Sequence, residues 1–226
     1  MSNIIETLTR LGACAEAKKW IALPENASKT PAQLWDACHR GDWLLWLAYH
    51  QSVDLMLMTL AACDCARLAL PFVPAGDDRP RLCIETAEAY TRGEATMDDM
   101  RIAALASLAA IDPPVCAIRE VYAAYAADSG AYAAGAAFAA VAYACAFNSE
   151  DIVLFRGSDT FADSAAGAAN AAECNVFAIV GTRFSGAAYL GAIAQRKTLA
   201  ECADLVRARI PWSVVETALE LKGIEP

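Results

Sequence analysis

The sequence predicts an all-α fold. Three observations carry this: helix-capping signals recur along the chain, alanine dominates everything after Ala103, and no alternating stretch ends in a hairpin turn. At 226 residues, 57% hydrophobic and 20% charged, the chain can bury a large core without staples. The expectation is about ten helices in an irregular antiparallel bundle or in stacked helical pairs, forming a single domain over 1–226. If it divides, the subdomains are 1–112 and the alanine-rich 113–226. No fixed period supports a regular solenoid.

Each element has its own signal. Asn3 and Glu6 open a first helix expected to reach about Lys19. Thr30-Pro31-Ala32-Gln33 joins an N-cap threonine, a first-turn proline and a glutamine that reaches back to the cap. Gly41 is expected to close that helix in a left-handed conformation, and Asp42 to cap the next, DWLLWLAYH. Ser52 is expected to cap a helix through Leu70, stopped by Pro71 and Pro74.

Pro80 starts a helix over Arg81–Arg92, for which Gly93 is the stop. Thr96 with Asp99 opens another through about Ile111, and Pro113-Pro114 breaks it before a helix over Val115–Ala127. Alanine-rich helices follow to Phe147 and over Asp163–Val180. Thr198 with Glu201 and Ser213 with Glu216 read as two further capping boxes, separated at Pro211. The only strand-like run, Asp151–Phe155, is expected to continue a helix or link two.

A formal charge of −9 argues against binding a nucleic-acid backbone, where Lys and Arg replace counterions, and leaves a basic partner open. Nine cysteines, an odd number, sit at apolar helical positions such as Cys14, Cys38, Cys83, Cys116, Cys145, Cys174 and Cys202, and read as reduced core thiols. The opening MSNIIETLTR lacks signal-peptide features, so the expected compartment is the cytoplasm. The uncharged run Ser129–Ser149 is long enough to span a bilayer. Its Ala, Gly and Tyr content and lack of flanking basic residues favour close helix packing instead, and no membrane role is expected.

No local motif announces a reaction. Cys38 and His39 are consecutive on a helix and project about 100° apart, whereas Trp35 and His39 share a face. Cys63 and Cys65 point to opposite sides, and no second cysteine pair stands at zinc-ligand spacing, so neither metal nor cofactor is expected. Asp64 and Arg67 can pair on one face, with Glu85 joining Arg79 or Arg81, as a polar network that orients helices. Asp77-Asp78 falls in a loop, and Asp98-Asp99 in a first helical turn where it complements the dipole. The glycines near Gly157 and over Gly181–Gly191 match no phosphate loop. Tyr122, Tyr125, Tyr132 and Tyr143 either fill gaps left by alanine or line a ligand cavity.

The ordered segments LWDAC, GDWLLWLA, ACDCARLAL, RPRLCIETAEAY and VRARIPWSVVETAL resemble bacterial immunity proteins of the Imm5 type, over Leu34–Arg92 and Leu205–Leu219. The resemblance implies an all-helical protein of a polymorphic toxin system that binds and neutralises a cognate toxin. It implies no catalytic residue.

For partner contact the candidates are His39, Arg40, Asp42 and His50 at the helix corner, which read equally as structural. The first functional hypothesis is therefore a stoichiometric, non-catalytic protein inhibitor, directed at a toxin or, from a phage or mobile element, at a host defence component. The second is a helical ligand binder or enzyme with a pocket in the alanine and tyrosine half, where Arg156, Asp159 or Arg183 would supply specificity. A homodimer is compatible with either.

Overall fold

The computed structural model describes residues 2–108, 160–180 and 187–221, and among them are ten α-helices and no strand. These are α1 (Ser2–Arg10), α2 (Ala15–Ile21), α3 (Pro31–Ala37), α4 (Gly41–His50), α5 (Leu55–Arg67), α6 (Arg79–Thr91), α7 (Met97–Leu108), α8 (Thr160–Val180), α9 (Ala187–Arg209) and α10 (Trp212–Leu221), with a 3₁₀ turn at Leu70–Phe72. The helical expectation holds. The expected helices over 115–127 and to Phe147, the run 151–155, the four tyrosines, Cys116, Cys145, Arg156, Gly157, Asp159, Arg183 and the uncharged run 129–149 lie outside the described residues.

Two capping boxes form as read. The Thr30 N–H donates to Gln33 Oε1 at 2.9 Å and the Gln33 N–H to Thr30 Oγ1 at 3.2 Å, while Thr96 and Asp99 exchange the same bonds at 2.8 and 3.2 Å. Pro80 stands in the first turn of α6. Three helices end in one hydrogen-bond pattern: Gly12 to Thr9 with Ala13 to Leu8, Ser52 to Tyr49 with Val53 to Ala48, and Gly93 to Tyr90 with Glu94 to Ala89. The pivot residue is left-handed each time, at φ 83° for Gly12, 61° for Ser52 and 74° for Gly93.

Five expectations are corrected. The first helix does not reach Lys19, because Gly12 closes α1 and α2 restarts from Cys14, whose sulfur accepts from the Ala17 N–H at 3.4 Å. Ser52 ends α4 instead of capping α5, and Asp54 is the cap, its Oδ1 accepting from Met56 and Leu57 at 2.9 and 3.2 Å. Gly41 is the first residue of α4 and does not close α3, which ends one turn earlier. Thr198 lies inside α9, where its hydroxyl donates to the Ala194 carbonyl at 3.0 Å, and Ser213 follows the start of α10 at Trp212.

Most of helix α5 is packed between four neighbouring helices, which explains its sequence. Ala61, Ala62, Cys63, Cys65 and Ala66 are fully buried against α4, α6, α8 and α9. Small side chains let five helix axes converge where leucines would hold them apart. One buried cluster runs from Trp35 to Val215, so residues on both sides of the 109–159 segment share a core. Helices α8 and α9 pair as a hairpin, with Gln195 bonded to Asn170 and Glu173 at 3.1 Å each.

Helix α4 crosses α9 at close range. A Cβ at Gly41 would collide with the Cys202 Cβ and lie 2.8 Å from the Cys202 carbonyl carbon and 2.9 Å from the Ala203 nitrogen. Glycine is there for lack of room. On the same helix, Arg207 donates to the carbonyls of Cys38 at 2.7 Å and Trp35 at 3.3 Å, satisfying the open end of α3.

Candidate functional site

The other face of α4 opens onto a cleft of about 780 Å³. Helices α1 and α2 form one wall, α3 and α4 the opposite one, and α10 with the first turn of α8 complete it. All five tryptophans of the chain, Trp20, Trp35, Trp43, Trp46 and Trp212, line it. Trp43, Trp46 and Leu47 recur at helical spacing along α4, so one face of that helix supplies a continuous aromatic wall.

The indoles meet in pairs. Trp20 packs edge-on to Trp43, and Trp35 lies tilted against Trp212, each at 6.2 Å between centroids, within the favourable range for aromatic pairs. Leu8, Leu34 and Leu47 add an aliphatic surface. The Trp35 side chain is buried, and its Nε1 has no hydrogen-bond partner among the described residues, a cost of about 1–3 kcal/mol.

The polar rim is built by Arg40, Asp42 and Glu16. Arg40 Nε donates to Asp42 Oδ1 at 2.9 Å and Nη2 to Oδ2 at 2.6 Å, a two-pronged pair, while Glu16 Oε2 stands 3.5 Å from Nη1. The bonds to Asp42 hold the guanidinium firmly charged, above an arginine's ordinary pKa. The same group lies 4.4 Å over the Trp43 ring, a cation–π contact worth about 1 kcal/mol. Just below the rim, burial pushes the Cys38 thiol up to about 11, and its sulfur donates to the Arg40 carbonyl at 3.7 Å.

Of the four corner residues predicted from sequence, Arg40 and Asp42 line the cleft. His39 is exposed beyond the end of α3 and does not pack on Trp35, because that helix stops at Ala37. His50 lies tilted against Trp46 at 4.3 Å between centroids and meets Tyr49 edge-on, which places it against the back of the aromatic wall.

The expected network of Asp64, Arg67, Arg79, Arg81 and Glu85 divides. Arg81 pairs with Glu85 at 2.8 Å and with Asp78 at 3.0 Å. Arg79 pairs with Asp77 at 2.7 Å and draws that carboxyl below its usual pKa. Asp64 and Arg67 do not meet as expected: Asp64 reaches Arg209 of α9, and Arg67 reaches Glu88 of α6, each at 2.6 Å. Each taking a different partner, they tie α5 to two neighbours.

The sequence offered the four tyrosines, outside the described residues, as gap fillers or a cavity lining, and gave no sign of a cleft among the tryptophans. Clustered tryptophans at 35, 43 and 46 were visible, but Trp20 and Trp212 join them only through tertiary structure. Among the described residues no group of three or more His, Cys, Asp or Glu side chains is placed to hold a metal, and no helix is long and apolar enough to cross a membrane. No family model, no curated protein and no solved structure matches the chain.

Proposed function

We propose that this protein works by binding: it is a non-catalytic inhibitor that receives a protein partner, a toxin or another effector, in the tryptophan-lined cleft. The observation that carries the reading is the convergence of all five tryptophans on one open cleft. Tryptophan and arginine dominate binding hot spots because they combine a large apolar surface with an orienting polar group, and the Arg40–Trp43 stack at the rim has that composition. The resemblance to immunity proteins supports the same class of function.

The test is affinity capture from source cells with the wild-type chain and with Ala17→Phe, which projects a ring into the cleft from α2. A stoichiometric partner bound by the wild type and lost by the variant supports the reading. Recovery of no partner, or of one held equally by both, refutes it. Whether the captured protein is a toxin or a host defence component fixes the target.

A second reading, a small apolar ligand, is favoured by the cleft's volume, which lies within the ordinary range of ligand sites. Native mass spectrometry of the purified chain tests it: a retained metabolite displaced by Ala17→Phe supports this reading over the first.

A further inference from the structure

Resting on the reading of the cleft as a protein-binding site, we infer the chemistry of its occupant: a basic segment of the partner, carrying Lys or Arg beside apolar side chains. Among the described residues the charges lining the cleft are unequal, with the carboxylates of Glu16, Asp42 and Asp163 against the guanidinium of Arg40. Asp42 is engaged twice by Arg40, whereas Glu16 stands at the rim with its side chain 75% exposed and only a 3.5 Å contact to the same group. Glu16 therefore retains acceptor capacity for a second cation.

The protein already shows how such a cation sits. Arg40 lies over an indole face with a carboxylate beside it, the arrangement that favours guanidinium and ammonium groups. Trp20, edge-on to Trp43, stands four residues from Glu16 on the same helix, so an indole and a carboxylate share that face of α2. An acidic segment would meet the exposed carboxylate of Glu16 at the rim, and a neutral one would leave its acceptor capacity unused. The leucines lining the cleft receive the apolar neighbours of the basic residue. A chain charge of −9 steers a basic partner toward the site and an acidic one away.

The test is selection of random displayed peptides on the full-length chain, with Ala17→Phe as counter-selection, followed by affinity measurement on the wild type and on Glu16→Lys. Glu16 is exposed, so its replacement leaves the fold intact, which circular dichroism checks. The expected result is cleft-dependent peptides enriched in Lys or Arg, bound about tenfold more weakly by Glu16→Lys and weakened by added salt. Cleft-dependent peptides that are neutral or acidic, or basic ones indifferent to Glu16→Lys, overturn the inference and leave the binding cleft standing. Absence of any cleft-dependent peptide overturns both.

Discussion

The two faces of helix α4 are packed by opposite means. Gly41, Leu45 and Ala48 face the core, where Leu45 and Ala48 are fully buried and α9 comes so close that Gly41 has no room for a methyl group. Trp43, Trp46 and Leu47 face the cleft, where large side chains hold α1 and α2 away from α3 and α4 around open space. Small residues let helix backbones approach and leave no void between them. Large flat ones, crowded on one side, act as spacers, and the volume they enclose is available to another molecule. One ten-residue helix thus serves stability on one face and binding on the other.

The largest expected effect breaks the core face. Gly41→Val places an isopropyl group where α9 already runs, with backbone among the colliding atoms, and is expected to cost about 3 kcal/mol or more, read as loss of a cooperative urea transition. A sharper comparison uses one substitution on both faces. Leu45→Ala is expected to cost about 3–4 kcal/mol by leaving a cavity in a filled core, and Leu47→Ala about 1 kcal/mol, because that side chain borders a space already open. Equal costs in the urea midpoints would dissolve the distinction.

Protonation offers a third test. Burial raises the thiol pKa of Cys38 to about 11 and that of Cys63 further still, so each favours the folded state while protonated. A folded pKa above the unfolded one means that this stability is fully present below about pH 9 and is lost as pH rises through the folded value. Thermal midpoints are expected to fall between pH 9 and 11, and Cys38→Ala to flatten part of that fall. The smallest effect concerns the turn that joins α4 to α5. Ser52 holds φ 61° where glycine pays no steric penalty, and Ser52→Gly is expected to stabilise by about 0.5 kcal/mol, the relief of strain being partly offset by greater freedom of the unfolded chain.

Several helix ends were legible from local signals, although the boxes read at Thr198 and Ser213 do not cap helices. Thr30 with Gln33, Thr96 with Asp99, Pro80 and Gly93 each stand where their chemistry predicts, because the groups that satisfy one another lie within a few residues. The turn at Ser52 was not, since a serine in the left-handed region is held there by the hydrogen bonds around it and not by its own preference. Gly41 was read as a stop when its reason is a helix more than 140 residues away, which no local pattern records. Two of the four proposed contact residues, Arg40 and Asp42, do border the cleft, while its tryptophans are gathered from α2, α3, α4 and α10 by folding alone.

The central claim is that the cleft face of α4 meets the partner. Because every tryptophan of the chain borders the cleft, 5-fluorotryptophan labelling reports on it directly, giving five fluorine resonances that single Trp→Phe variants assign. The account predicts that adding the captured partner shifts the Trp20, Trp43 and Trp46 resonances in a saturable, equimolar titration. A saturating complex that leaves all five resonances in place would contradict it.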